Sequence, residues 1–376
     1  MKKRLAVAET IATLVGMIIG AGILGIPYVI AQAGFFWGLI NIISIGLIVL
    51  LVYLYLGEII LRTKGKHQLP GYASIYLGKK GRILMLISML LVQYGALIAY
   101  MFGEGEVLSF IFLGSISLST HLMFAMVFLI LMAILIFFGI KTLGKTELLG
   151  LGAIIVTVIA IAIYFLPQIQ LSNFMNFDPS LRLRFLFPYG AILFAYLGFA
   201  AVPEMNEIIK DKKKMKKAII IGSIIPIIVY LLFTITVVGF KGLATPEIAT
   251  LALGRFVSLF AVFTMFTSFL AVGVAQKEIF WYDLKYKHFL SWFLTVFPVF
   301  LITLAIIFFR LAGFVDIISY AGAIGGGIAG ILIVLMAIKA KKIGKRDPEY
   351  KIPINWFIIS LLIAIFVFGI TYQFIF

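Results

Sequence analysis

The sequence predicts an all-α membrane protein of eleven transmembrane helices. Three observations lead there: the composition, the succession of long apolar segments, and the side on which the basic residues fall. Of 376 residues, 63% are hydrophobic and 12% charged, with a mean hydropathy of +1.18. A soluble domain carries about 25% charged residues, so the solvent for this surface is lipid. No stretch between apolar segments is long enough to fold alone, and a single membrane domain, 1–376, takes the whole chain.

A spanning helix needs about 20 mostly apolar residues. Such segments run approximately over 7–33, 36–61, 83–109, 121–140, 147–166, 185–209, 217–240, 254–281, 289–310, 313–338 and 354–375. With the N-terminus cytoplasmic, the loops that alternate onto the inner side hold 26 of the 31 basic residues. That is the positive-inside pattern. It puts the C-terminus outside a cell membrane crossed many times. The five basic residues left outside are Arg182, Arg184, Lys241, Arg255 and Arg310; Lys141 and Lys145 fall inside. The net charge of +16 is thus spread over many loops as a topology determinant, and a nucleic-acid partner is not expected. Met1-Lys2-Lys3-Arg4 before an apolar run looks like a secretory signal. The run continues past Pro27 and Gly34 without a cleavage site, so it is expected to stay as the first span. The absence of cysteine excludes disulfides, thiolate metal sites and cysteine nucleophiles.

Two connecting segments have local signals. Gly71 to Gly78 reads as a short interfacial helix. Ala244 to Ala249 reads as a helical start with Thr245 as N-cap and Pro246 at the first position, a lid over an outer vestibule.

Two spans are poor helix material. The first contains Gly16, Gly20, Gly22, Gly25 and Pro27, and the sixth contains Gly198 and Pro203. Each interior glycine costs about 0.8–1 kcal/mol and a proline about 3 kcal/mol relative to alanine. In both spans a glycine stands five residues before a proline, Gly22 before Pro27 and Gly198 before Pro203. The two segments lie an odd number of spans apart, so they enter the bilayer from opposite sides. That is an inverted-topology repeat of about 7–166 and 185–338, with an extra helix at about 354–375. Paired interrupted helices point to a transporter binding site. A break frees backbone N–H and C=O groups that cost several kcal/mol each if left bare in hydrocarbon. Helix-start amides favour a carboxylate, and freed carbonyls favour an ammonium group or a metal cation. An amino acid carries both charges. The rival explanation for Gly16-x-x-x-Gly20 is close helix packing. Pro226 and Pro298 read as ordinary kinks.

The segments Gly20-Ala21-Gly22-Ile23-Leu24-Gly25-Ile26-Pro27-Tyr28, Phe194-Ala195-Tyr196-Leu197-Gly198-Phe199 and Val202-Pro203-Glu204-Met205 resemble the amino acid–polyamine–organocation superfamily. Within it they look most like the amino acid/auxin permeases and the prokaryotic aromatic amino acid permeases. The resemblance covers the whole chain and implies a leucine-transporter-type fold of five plus five inverted helices. It implies that the amides of Ala21, Gly22 and Ile23 hold a substrate carboxylate. The carbonyls of Phe194, Ala195 and Leu197, beside Gly198, would hold the amino group, with Tyr196 or Phe194 as an aromatic gate. Where some members have a glutamate, this chain has Ala200, which withholds a gating or proton role from that position.

The same resemblance nominates a sodium site of five neutral oxygens: the carbonyls of Gly16, Ile19 and Thr264 and the hydroxyls of Thr267 and Ser268. The bland alternative for the hydroxyls is a bond back to the carbonyl four residues earlier. Some proton-coupled relatives carry a lysine in span 5; none stands between Leu148 and Leu166, which favours sodium. No other cofactor is expected. Gln93, Tyr94 and Tyr100 on span 3 are further pocket candidates, against packing or an interface belt for the tyrosines. Glu104 and Glu106, near the outer end of span 3, point about 200° apart; one of them facing a vestibule is the alternative, and both reaching the interface is the favoured reading. Glu58, Glu204 and Glu207 are expected to pair with nearby lysines. His67, His121 and His288 lack ligand spacing.

The reading is a secondary amino acid symporter for neutral or aromatic substrates, because no charged side chain stands in either break. Its rivals are a proton-coupled permease or exchanger, and a transport-inactive sensor built on the same fold. No cluster suggests an enzyme.

Overall fold

In hydrocarbon every main-chain N–H and C=O must be paired within the chain, so a sequence this apolar resolves into helices. The computed structural model describes the backbone of residues 2–139, 145–181, 183 and 185–375. Lys141, Arg182 and Arg184 lie outside the described residues, as do the side chains of Lys2, Lys3, Arg4 and Lys145. The helices are α1 (Lys2–Ile18), α2 (Gly22–Ala33), α3 (Phe35–Arg62), α4 (Leu69–Leu113), α5 (Leu118–Phe138), α6 (Lys145–Phe165), α7 (Tyr189–Ala195) and α8 (Ala201–Ile208). They continue as α9 (Met215–Lys241), α10 (Arg255–Glu278), α11 (His288–Phe309), α12 (Phe314–Tyr320), α13 (Gly327–Ile343) and α14 (Trp356–Ile375).

Among the described residues nine helical segments are long and apolar enough to cross a membrane, and ten if α1 and α2, bent by 55° at their junction, count as one. The predicted sixth span is the exception. It is split into α7 and α8, of 7 and 8 residues, with residues 196–200 non-helical between them.

Local sequence explains the ends and bends. Pro70 opens α4 where its missing N–H has no helical partner to lose. The predicted interfacial helix at 71–78 is the start of this same element. Gly78 then turns it at φ 74°, a left-handed angle that glycine adopts without penalty. Pro226 and Pro298 lie inside continuous helices. Between α12 and α13 the chain widens into a π turn at Ala321–Gly326, which loosens the backbone ladder. Ser88 on α4 donates to the Gly325 carbonyl there at 2.6 Å.

Glycines set how tightly the centre closes. Ideal Cβ atoms on Gly190 and Gly322 would fall 2.6 Å and 2.2 Å from the carbonyl oxygens of Ser319 and Gly190. Only bare backbones fit between α7 and the π turn. The result buries α2 and α7 centrally, against α3, α9 and α12.

At one end of the molecule the segment 344–353 is strapped to α3. Buried Glu58 accepts from Arg62 at 2.9 Å, Lys341 at 3.0 Å and the Ile352 amide at 2.7 Å. Tyr350 donates to the Leu54 carbonyl at 2.8 Å. Glu58 therefore pairs with basic residues as expected, and Glu207 pairs with Lys66. Breaking a buried pair costs about 3–5 kcal/mol, and the partners here reach water. Glu58→Ala should destabilise the protein toward the lower end of that range. Thermal unfolding in detergent would check it; an unchanged midpoint would mean the strap does not depend on this carboxylate.

Candidate functional site

The two breaks meet. An ideal Cβ on Gly22 would lie 2.7 Å from the Ala195 Cα, and one on Gly198 would lie 3.0 Å from Ile18 Cγ1 and 3.5 Å from the Ile18 nitrogen. Each interrupted span thus offers a glycine to the other's backbone.

The break in the first span is at residues 19–21, a small part of the glycine-rich stretch from Gly16 to Pro27. The helix resumes at Gly22, so Gly25 and Pro27 belong to α2. A proline six residues into a helix removes one ladder bond, and the burial of all but two residues of α2 compensates for it. Gly25 serves packing: its Cβ position is 2.7 Å from Ile318 Cδ1. In the sixth span the break covers 196–200 as predicted, and Pro203 falls in the first turn of α8, where no N–H is required.

The main-chain groups at the breaks divide into paired and bare. Gly20 N–H donates to Ile18 O at 2.9 Å and Leu24 N–H to Ala21 O at 3.0 Å. Among the described residues the N–H groups of Ala21, Gly22 and Ile23 have no hydrogen-bond partner, although all three residues are buried. Opposite them, Phe194 O accepts from Leu197 N–H at 3.0 Å and Gly198 O from Ala201 N–H at 2.9 Å. Tyr53 donates to Tyr196 O at 2.7 Å. The Tyr230 hydroxyl lies 2.7 Å from Ala195 O and 2.9 Å from Ile18 O, bridging the two breaks. The carbonyl of Leu197 takes no hydrogen bond among the described residues. Three bare donors therefore face a break whose carbonyls retain acceptor capacity. That arrangement suits a group with an anionic end and a cationic end.

The sequence profile of the tryptophan/tyrosine permease family matches residues 3–373. The chain belongs to that family. Tyrosine-specific transport system 2 of Haemophilus influenzae is 27% identical over 359 residues, covering 87% of this chain and 86% of the relative. Glutamine transporter 2 of Aliivibrio fischeri is 27% identical over 286 residues, 70% and 71% of the two chains. The crystal structure of MhsT in complex with L-phenylalanine superposes with a TM-score of 0.69 over 97% of both chains, at 14% identity. This family member is accordingly a multi-pass membrane protein with the fold of MhsT. Family and relatives are transporters, not enzymes.

Not every predicted residue of this permease lies where the sequence reading put it. Tyr196 is buried with its hydroxyl donating to Ile42 O at 3.1 Å and its ring 5.1 Å from that of Tyr230. It braces α3 and α9 and does not stand as a free gate. Tyr94 donates to Leu294 O on α11 at 2.6 Å, away from the breaks. Tyr100 occupies the position sought: its hydroxyl and that of Ser268 converge on Gly20, 3.6 Å and 3.1 Å from its Cβ position. Gly16 does not pack; it is exposed, with open space around it, so the Gly16-x-x-x-Gly20 contact does not form. Thr267 makes the local bonds of the bland reading, to Phe263 O at 2.9 Å and Thr264 O at 3.2 Å. The braces Tyr53 and Tyr230 were missed, although a phenol in mid-span must find an acceptor and is a signal.

The lid differs as well. Thr245 does not cap a helix start; its hydroxyl donates to Gly242 O at 2.7 Å, and the next helical turn begins only at Ala249. Glu247 reaches instead to α12, accepting from Val315 N–H at 2.8 Å. Burial raises the Glu247 carboxyl above its ordinary range, and the amide bond opposes the rise. Ile248, Ala249 and Thr250 are fully buried.

Tyr230→Phe should leave two buried carbonyls short of their shared donor, a loss of about 1–3 kcal/mol. Unfolding in detergent should show it, and a variant as stable as the parent would remove the bridge. Gly22→Ala inserts a methyl against the Ala195 backbone and should abolish ligand binding in a thermal-shift titration with L-tyrosine.

Proposed function

We propose that this permease is a secondary amino acid transporter with its N-terminus in the cytoplasm and its C-terminus outside. Counting α7 and α8 as one broken span gives eleven spans. The paired breaks and the shared motifs support an inverted repeat of about 7–166 and 185–338 and membership of the amino acid–polyamine–organocation superfamily. The observation that carries the reading is the set of three buried, unpartnered amides at Ala21, Gly22 and Ile23 beside the second break. They are the groups that would receive the substrate carboxylate. The carbonyl of Leu197, with the remaining lone pairs of Phe194 O and Ala195 O at Gly198, would receive the ammonium group. No charged side chain stands in either break, which supports a neutral or aromatic amino acid. Relatives named for tyrosine and glutamine, and a structural neighbour holding L-phenylalanine, support the same class.

Sodium is the coupling ion we propose. Thr264, Thr267 and Ser268 present neutral oxygens, and a hydroxyl that donates backwards keeps its lone pairs for a cation. The carbonyls of Gly16 and Ile19 accept no hydrogen bond among the described residues, which fits them as ligands. Ser268 already lies over Gly20, while Gly16 faces open space. Bringing the five oxygens together would require α1 to move toward α10 about its bend.

Proteoliposomes containing the purified protein should take up one or more of twenty labelled amino acids, faster with sodium outside. The double change Thr267→Ala, Ser268→Ala should abolish the sodium stimulation. Uptake that ignores sodium would remove the ion assignment, and binding without flux would turn the reading into a sensor.

A further inference from the structure

The sequence reading expected both Glu104 and Glu106 at the membrane interface. The structure separates them. Glu106 lines an outer cavity of about 340 Å³ with His121 and Arg310. Glu104 is 0% exposed, and neither of its carboxyl oxygens has a hydrogen-bond partner among the described residues.

We propose that Glu104 is a proton-binding site of this transporter, which takes a proton from the outer side while the lid is open and holds it when the lid shuts. The proposal rests on the amino acid transport reading above. A buried carboxylate without a partner is far more costly than the neutral acid, so the group is held as COOH. Even the neutral acid has a donor unmet, and a leucine would fill the space without that cost. The carboxyl is therefore explained by a second state in which it meets water.

The surroundings indicate how that state arises. Gly103, next in the chain, lies against the lid and the elements beneath it: its Cβ position is 3.2 Å from Ile248 and from Phe314, and 2.8 Å from Met265. Lifting the lid uncovers this stretch of α4. One turn further along the same face, Tyr100 meets Ser268 at the first break. This stretch of α4 thus joins the lid, at Gly103, to the proposed substrate and ion sites, at Tyr100, with Glu104 one residue on from the first and one turn on from the second.

No charged group holds Glu104 in either form. From α5, the ring nitrogen of His121 pairs with Phe102 O at 2.9 Å. Arg255 of α10 sits against Gly114, Arg310 of α11 borders the outer cavity, and Asp316 of α12 accepts from Gly313 N–H at 2.9 Å. Glu247 of the lid is bonded to Val315 N–H. With the lid open, hydronium gives its proton to the carboxylate: an O–H bond breaks on the hydronium, leaving water, and one forms on the carboxyl. Release is the reverse, to water in the state open on the other side, and no electron moves.

Two measurements test this. In lipid nanodiscs at neutral pH, the infrared C=O band of a protonated carboxyl should be present and should vanish in Glu104→Gln. In proteoliposomes with equal sodium on both sides, an acidic exterior should drive L-tyrosine accumulation; one pH unit supports up to about tenfold per proton. Glu104→Gln should lose that drive, and Glu104→Asp should keep it with a displaced pH dependence. A band unaffected by the substitution, or equal pH-driven accumulation in parent and Glu104→Gln, overturns the proposal. If no amino acid enters the parent vesicles at all, the transport reading fails, while the infrared band still decides whether Glu104 holds a proton.

Discussion

The structure depends on the reciprocal contact of two backbones at the centre of the membrane domain. Gly22 lies on Ala195, and Gly198 lies on Ile18. No side chain fits at either point, so the contact forms only if both spans stop being helical within a few residues of each other. Main-chain dipoles that would otherwise cancel along a ladder are then turned toward one small volume. Tyr230 donates to Ala195 O and Ile18 O and Tyr53 to Tyr196 O, which ties the two breaks together. Bare donors collect on one side, at Ala21 to Ile23, and acceptors on the other.

The two ends of the molecule are in different conditions. On the lid side Glu247 is joined to α12, and the turn from Ala249 is buried under neighbouring helices. On the other half of the first span, Glu9 and Gly16 are exposed on one face of α1. They are seven residues apart, nearly two turns, and so share a direction. A glutamate on that face is ill suited to hydrocarbon, where a charged side chain costs about 2.5–3.5 kcal/mol at mid-span, and well suited to water. The 55° bend between α1 and α2 separates the buried half of the first span from the half that exposes Glu9 and Gly16. It lets the half carrying Gly16 stand away from α10 while Gly20 stays under Ser268.

Much of this was legible in the sequence because the bilayer makes simple demands. Apolar length gave the helices, and glycine with proline marked both interrupted spans. What was not legible has a common cause. Glycine at Gly16, Gly22 and Gly25 looks alike in a sequence, but one faces open space, one meets a backbone and one meets Ile318. Only the neighbours, which come from distant segments, distinguish a break from a packing contact. Tyr94, Tyr100 and Tyr196 were equally ambiguous: each phenol must find an acceptor, but which one depends on helix rotation. A turn of some 120° on α4 is the difference between Leu294 O on α11 and Ser268 on α10. Glu104 misled for the opposite reason. Its position near a helix end suggests the interface, while the fold buries it completely.

A transporter of zwitterions must avoid binding too well when empty and closed. Bare amides and carbonyls in a dry interior would attract each other or trap water if they were free to relax. The glycine contacts prevent relaxation, because α2 and α7 cannot rotate without bringing a side chain into the gap at Ala195 or Ile18. The same rigidity makes the site selective by subtraction. In the proposed reading the main chain recognises what all α-amino acids share, so the side chain is read by other residues at the breaks. Phe194 and Phe199, both buried at the second break, and Tyr100 at the first, are aromatic and uncharged. A lysine or aspartate side chain brought among them would lose its water and find no partner, whereas an aromatic ring would lose nothing. The neutral or aromatic substrate we propose fits what the breaks leave out.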